Sequence, residues 1–111
     1  MKSDMQPIRI YPEYALILTY DIRQGVHERY FRYVTGEFVP ALQRRKIYMQ
    51  NAWHIVYGPQ PERQVEFVTE DLQAIQDLFL DTEWKELEEK LESYIENYKR
   101  RVVKYRGVFK L

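Results

Sequence analysis

The stretch Tyr14-Ala15-Leu16-Ile17-Leu18-Thr19-Tyr20-Asp21-Ile22 is almost continuously apolar and rich in strand formers. Such a run, far too short to cross a membrane, predicts a strand covered on both faces and central in its sheet. Gln24-Gly25 ends it, and from Val26 the period changes. Tyr30, Phe31, Val34, Phe38 and Leu42 recur at helical steps with charges between them, which predicts a helix with one apolar face. Pro40 falls inside this helix, and its ring would meet the carbonyl of Gly36. A kink or break is expected between Gly36 and Pro40, because glycine bends most cheaply.

Ile47 to Tyr57 reads as a second strand, with Ile47, Met49, Asn51, Trp53, Ile55 and Tyr57 on one face. Tyr48, Gln50, Ala52, His54 and Val56 take the other. Gly58-Pro59-Gln60-Pro61-Glu62 is turn chemistry, and Gln64 to Val68 supplies a third strand antiparallel to the second. Thr69-Glu70-Asp71 can start a helix carrying Leu72, Ile75, Leu78 and Phe79. Asp81 or Thr82 can cap a fresh start, after which Trp84, Leu87, Leu91, Ile95 and Tyr98 form a stripe. Two helical pieces meeting near Leu80 to Thr82 are therefore expected. Arg101 to Phe109 reads as the last strand, with Gly107 as a bulge candidate.

The order is strand, helix, strand, strand, helix, strand. Right-handed crossovers close it into a ferredoxin-like α+β fold, a four-stranded antiparallel sheet with its helices on one face. Residues 1–13 read as an N-terminal arm and 14–111 as one domain. Ala15, Ile17 and Thr19 oppose Leu16, Leu18 and Tyr20 on the first strand, so the uncovered face also carries apolar groups. A second copy's sheet is the economical cover, and a homodimer is expected.

Composition narrows the chemistry. The net charge is zero, which removes the strong attraction to nucleic acid or anionic membrane that a basic domain has. There is no cysteine, hence no disulfide and no thiolate nucleophile or ligand. The N-terminus lacks the apolar core of a secretory signal, so a cytoplasmic location is expected. The ten tyrosines exceed the roughly three or four of ordinary usage; tyrosine suits half-wet interfaces and pocket walls, and equally suits strands.

The chain resembles the dimeric α+β barrel superfamily. The likeness rests on the element order, on the aromatic first helix with its late proline (Tyr30-Phe31 through Glu37-Phe38-Val39-Pro40-Ala41-Leu42), and on Trp84-Lys85-Glu86-Leu87 opening the last helical segment. The resemblance implies two ferredoxin-like sheets paired face to face. Its members include cofactor-free monooxygenases of antibiotic biosynthesis, haem-degrading enzymes, isomerases, NIPSNAP-type proteins and stress-response proteins, and a shared fold does not select among them.

The cofactor-free monooxygenases suggest an Asn and a Trp that position an aromatic substrate near the sheet. Asn51 and Trp53, two residues apart, share a strand face and match that arrangement; the alternative is a packed tryptophan with a satisfied amide. His54, on the other face, is a candidate general base. Leu18, Tyr20, Tyr30 and Val34 are the other candidate lining of an apolar pocket between sheet and helices. His27 and His54 lack ligand spacing, so no metal or other cofactor is expected. Arg44-Arg45-Lys46 and Lys99-Arg100-Arg101 read as cations neutralising helix C-termini.

RNA-recognition modules share the element order, but Arg63-Gln64-Val65-Glu66-Phe67-Val68 lacks their glycines and paired aromatics, and Glu66 opposes a phosphate backbone. No phosphate-binding glycine loop and no hydrolase triad is present. Two readings stand: a small-molecule monooxygenase or isomerase that needs no cofactor, and a non-catalytic homodimeric interaction or stress-response domain.

Overall fold

The computed structural model describes residues 10–57 and 60–105, and for 51, 53–57 and 60–62 it describes the backbone alone. The described strands are β1 (Tyr14–Ile22), β2 (Tyr48–Tyr57), β3 (Gln60–Thr69) and β4 (Ile95–Lys104). The described helices are α1 (His27–Tyr33), α2 (Val39–Gln43), α3 (Leu72–Leu80) and α4 (Thr82–Glu92). The strands form one antiparallel sheet in the order β2-β3-β1-β4, the ferredoxin-like topology. Residues 1–9 of the expected arm, Gly58 and Pro59 of the expected turn and the expected bulge at Gly107 lie outside the described residues, while Gln60, Pro61 and Glu62, expected in that turn, are strand in β3.

Leu16, Leu18 and Tyr20 pair with Phe67, Val65 and Arg63 on β3, so these side chains share the face that the helices cover. Tyr30, Tyr33, Val34, Phe38 and Leu42 descend on them from the first helical run, and Ile75, Leu78, Trp84 and Leu91 from the second. Burial of this face from water is the main force holding helices to sheet. Phe38 is central, its ring 5.9 Å from Phe67 and 5.8 Å from Trp84.

The irregularity expected near Pro40 is a π-helical turn over Val34–Phe38 between α1 and α2, and the backbone stays helical through it. Proline brings no N–H for the carbonyl of Gly36, and the wider turn closes the Val39 N–H on the carbonyl of Val34 instead. Asp81 both ends α3 and caps α4, accepting from the Glu83 N–H at 2.8 Å and from Arg45 at 2.7 Å. Arg45 thus ties the end of α2 to the start of α4.

Three further expectations are corrected. First, α4 stops at Glu92, and Ile95 and Tyr98 belong to β4, which begins six residues before Arg101. Asn97 takes a left-handed conformation (φ 57°) and the β1–β4 register slips between Thr19 and Asp21. This bulge lets residues three apart, Ile95 and Tyr98, reach the same helix-side core, a spacing that imitates a helix. Second, β2 does not alternate throughout: Met49 pairs with Phe67 but Asn51 pairs with Glu66, leaving Gln50 as an extra residue. Asn51 and Trp53 therefore take register positions on the face opposite that of Met49. Third, Lys99, Arg100 and Arg101 sit within β4 and not at a helix end.

Among the described side chains, those of the far face are apolar at one end. Ala15, Ile17 and Val68 cluster there with Ile10, Val103 and Tyr105. The chain before β1 crosses this end, with Glu13 bonding Thr69 and Tyr105 through the backbone. Thr19, Gln64, Glu66, Lys99 and Arg101 share the same face by register.

The turn after α2 holds Lys46 at φ 64°, with the Ile47 N–H on the carbonyl of Leu42 and the Lys46 N–H on that of Gln43. This is a Schellman-type stop with a side chain where glycine is favoured. Left-handed backbone costs a non-glycine residue about 1–2 kcal/mol, partly offset by the greater freedom of glycine in the unfolded chain. Lys46→Gly is expected to stabilise the fold by about 0.5 kcal/mol, read as a higher urea midpoint at constant slope; a lower midpoint contradicts this account of the turn.

Candidate functional site

A polar row crosses the otherwise apolar helix-side face. Its members are set by register: His54 pairs with Arg63, Arg63 pairs with Tyr20, and Tyr98 arrives beside Tyr20 through the bulge at Asn97. The first turn of α1 faces inward with Tyr30 because Arg29 and Arg32 take the solvent side. The Tyr20 and Tyr30 hydroxyls lie 2.5 Å apart, one donating to the other, with the rings edge to face at 5.9 Å. Tyr20 is 2% exposed and Tyr30 1%.

The guanidinium carbon of Arg63 stands 5.1 Å from the Phe31 ring centre and 5.9 Å from that of Tyr30. Phe31, 40% exposed, is the outer edge of the row. On the other side the Tyr98 ring is 6.4 Å from that of Tyr20, and its hydroxyl donates to Glu88 at 2.7 Å. Arg100 also bonds Glu88 and stacks over Phe79 at 4.5 Å.

Burial, with a smaller contribution from Tyr30, pushes the Tyr20 phenol far above its ordinary range. Burial raises Tyr30 as well, opposed by the bond from Tyr20 and by the positive charge of Arg63. Tyr98 is raised by burial and by its bond to Glu88. These hydroxyls stay protonated at neutral pH; Tyr98 gives its proton to Glu88 and one of the Tyr20–Tyr30 pair gives its proton to the other, which leaves one phenol proton of the pair to donate to a further oxygen. A guanidinium beside them can stabilise negative charge developing on that oxygen.

The structure brings Leu18, Tyr20, Tyr30 and Val34 together on the helix side, in one buried core. It does not bring Asn51 and Trp53 there: these pair with Glu66 and Gln64 on the far face, while His54 falls in register with Arg63 on the helix side. The bulge at Gln50 is the cause. The side chains of Asn51, Trp53 and His54 lie outside the described residues. Arg63, Tyr98 and Glu88 join the site without having been singled out in the sequence. Only the register of four strands reveals them, since each sits in an ordinary strand or helix pattern. Among the described residues, no group of three or more His, Cys, Asp or Glu side chains has metal-holding geometry.

The described clefts lie elsewhere. One of about 420 Å3 runs between the first helical run and α4, past Gly36, Ala41 and Leu87. Another of about 410 Å3 opens beside the β2 bulge, against Ile10, Val39, Met49 and Gln50.

Because Tyr20 and Tyr30 hold their protons in the fold and release them near pH 10 once unfolded, the unfolded chain binds fewer protons above that pH. Stability is therefore expected to fall as pH rises above about 10, by about 1.4 kcal/mol per pH unit for each such phenol. Absorbance at 295 nm, followed alongside circular dichroism, should show a fraction of the tyrosines ionising only as the fold is lost. Complete ionisation with the fold intact contradicts the buried pair.

No family model and no curated protein matches the chain. Solved structures do. A NIPSNAP family protein of unknown function from Agrobacterium tumefaciens superposes with a TM-score of 0.62 at 17% identity, over 91% of this chain and 95% of that one. A monooxygenase from Streptomyces coelicolor, solved with nanaomycin D, gives 0.64 at 15% identity, over 90% and 93%. A dimeric ferredoxin-like protein from an uncultured marine organism gives 0.56 at 13% identity, over 91% and 94%. The chain thus has the ferredoxin-like α+β fold that NIPSNAP proteins share with monooxygenases of this architecture.

Proposed function

We propose that this protein is a homodimer that binds a small hydrophobic or aromatic molecule between sheet and helices, and acts on it as a monooxygenase or isomerase without a cofactor. The observation that carries the reading is the row of protonated phenols and a guanidinium set at one end of an apolar core. A phenolic or enolic substrate places its oxygen beside Arg63 and whichever of Tyr20 and Tyr30 is not donating to the other, and its ring against Leu18 and Val34. His54, next in register, takes the substrate proton. Oxygenation then needs only dioxygen: the carbanion's electron pair forms the C–O bond of a hydroperoxide, and loss of the remaining hydrogen at that carbon breaks the O–O bond, so that one oxygen atom stays as a ring carbonyl and the other leaves as water. Isomerisation returns the same proton to a different carbon. Asn51 and Trp53, on the opposite face by register, serve the contact with the second copy. Support also comes from the fold shared with a monooxygenase solved with nanaomycin D.

Anthrone is a fitting probe, being a polycycle with an enol form; its oxygenation consumes one dioxygen and yields anthraquinone and water. Saturable binding is expected by fluorescence, with oxygen uptake matching anthraquinone formed and falling at least tenfold in Tyr20→Phe at unchanged secondary structure. Binding without uptake favours the non-catalytic reading. An absence of binding by anthrone, together with no small molecule found by mass spectrometry of the purified protein, removes the pocket.

The dimer is supported by the apolar end of the far face, where Ala15, Ile17 and Val68 meet Val103, and by the fold shared with a dimeric ferredoxin-like protein. Sedimentation at micromolar concentration is expected to give twice the 13.7 kDa chain mass. A species of single chain mass at that concentration rules the dimer out.

A further inference from the structure

The notch between the outer side of α1 and the end of α4 has a donor set that the row beneath α1 does not use. It measures about 160 Å3 and is lined by Arg29, Arg32, Tyr33, Glu37, Lys90 and Tyr94. Arg29 and Arg32 are three residues apart on one helix, so they are neighbours on its surface, where like charges repel. Among the described residues neither guanidinium has an ion pair or hydrogen bond, and the Tyr94 hydroxyl has no partner. Lys90 lies 3.7 Å from Glu37 and 5.3 Å from the centre of the Tyr33 ring. The Tyr33 hydroxyl is committed to the carbonyl of Leu87 at 2.7 Å, so its ring serves as a wall. The Tyr33 and Tyr94 ring centres are 5.6 Å apart.

We infer that this notch binds a small phosphate monoester. Three cations against the single carboxylate of Glu37 leave two positive charges uncompensated. A phosphate monoester carries about −1.5 to −2 at neutral pH, which matches that excess where a carboxylate supplies only half of it. Planar guanidinium forks suit the paired oxygens of phosphate, and the Tyr94 hydroxyl adds a neutral donor. The tyrosine rings offer an apolar wall to the organic part of the ester. The adjoining cleft shares Tyr33, Glu37 and Lys90 with the notch and gives that part room to extend toward Gly36 and Ala41.

Titration of the full chain at low salt tests this with three probes: phenyl phosphate, inorganic phosphate and benzoate. Isothermal calorimetry is expected to show saturable binding of phenyl phosphate, at least tenfold tighter than benzoate, with inorganic phosphate in between. Raising ionic strength should weaken it. Arg29→Gln/Arg32→Gln is expected to lose at least tenfold, whereas Arg23→Gln, whose guanidinium pairs with Glu96 elsewhere, should bind as the parent does. Equal affinity for phenyl phosphate and benzoate in the parent protein overturns the inference without recourse to any variant. So does a folded double variant that binds phenyl phosphate undiminished. Inorganic phosphate binding as tightly as phenyl phosphate overturns the ester and leaves a plain anion site.

Discussion

The arrangement of this molecule depends on a constraint of the β-pleat: successive side chains go to opposite faces, so one extra residue exchanges the faces of everything beyond it. Both outer strands carry such a residue. At Gln50 the extra position in β2 separates Ile47 and Met49 from Asn51 and Trp53. At Asn97 it lets Ile95 and Tyr98 both enter the core under the helices. The central strands have no such interruption over Tyr14 to Thr19, and they provide the straight frame against which the outer ones are offset.

That frame decides what chemistry the helix-side face can hold. Leu16, Leu18, Val65 and Phe67 make its middle apolar, and Phe38 fills the space above them. A phenol or guanidinium in such surroundings is costly unless it is bonded. Tyr20 and Tyr30 meet that requirement with each other, and Tyr98 meets it with Glu88. The same burial that demands partners keeps the phenols protonated, so the row is a set of hydrogen-bond donors and not of bases. The register position next to Arg63 on β2 belongs to His54.

The first helical run serves two surfaces at once. Its inner side delivers Tyr30, Val34 and Phe38 to the core, while Arg29 and Arg32 stay outside facing the end of α4. The π turn over Val34–Phe38 lets both sides continue past Pro40 with the apolar face still directed at the sheet. A break there would have freed the second half of the run, and with it Ala41 and Leu42, from the core.

Much was legible in the chain itself. The apolar run of β1, the helical steps from Tyr30 to Leu42 and the capping Asp81 are local signals, because period and capping chemistry act over a few residues. They determined the element order, the ferredoxin-like class and the burial of Leu18, Tyr20, Tyr30 and Val34. What they did not determine is how strands align. A bulge is a property of a pair of strands, since only the partner reveals which residue is left over. Hence Ile95 and Tyr98 looked helical, Asn51 appeared to share a face with Met49, and Arg63 looked like any charge at a strand's start. Tertiary structure placed Arg63 between His54 and Tyr20 because β3 runs between β2 and β1, a neighbourhood set by long-range pairing and not by sequence distance.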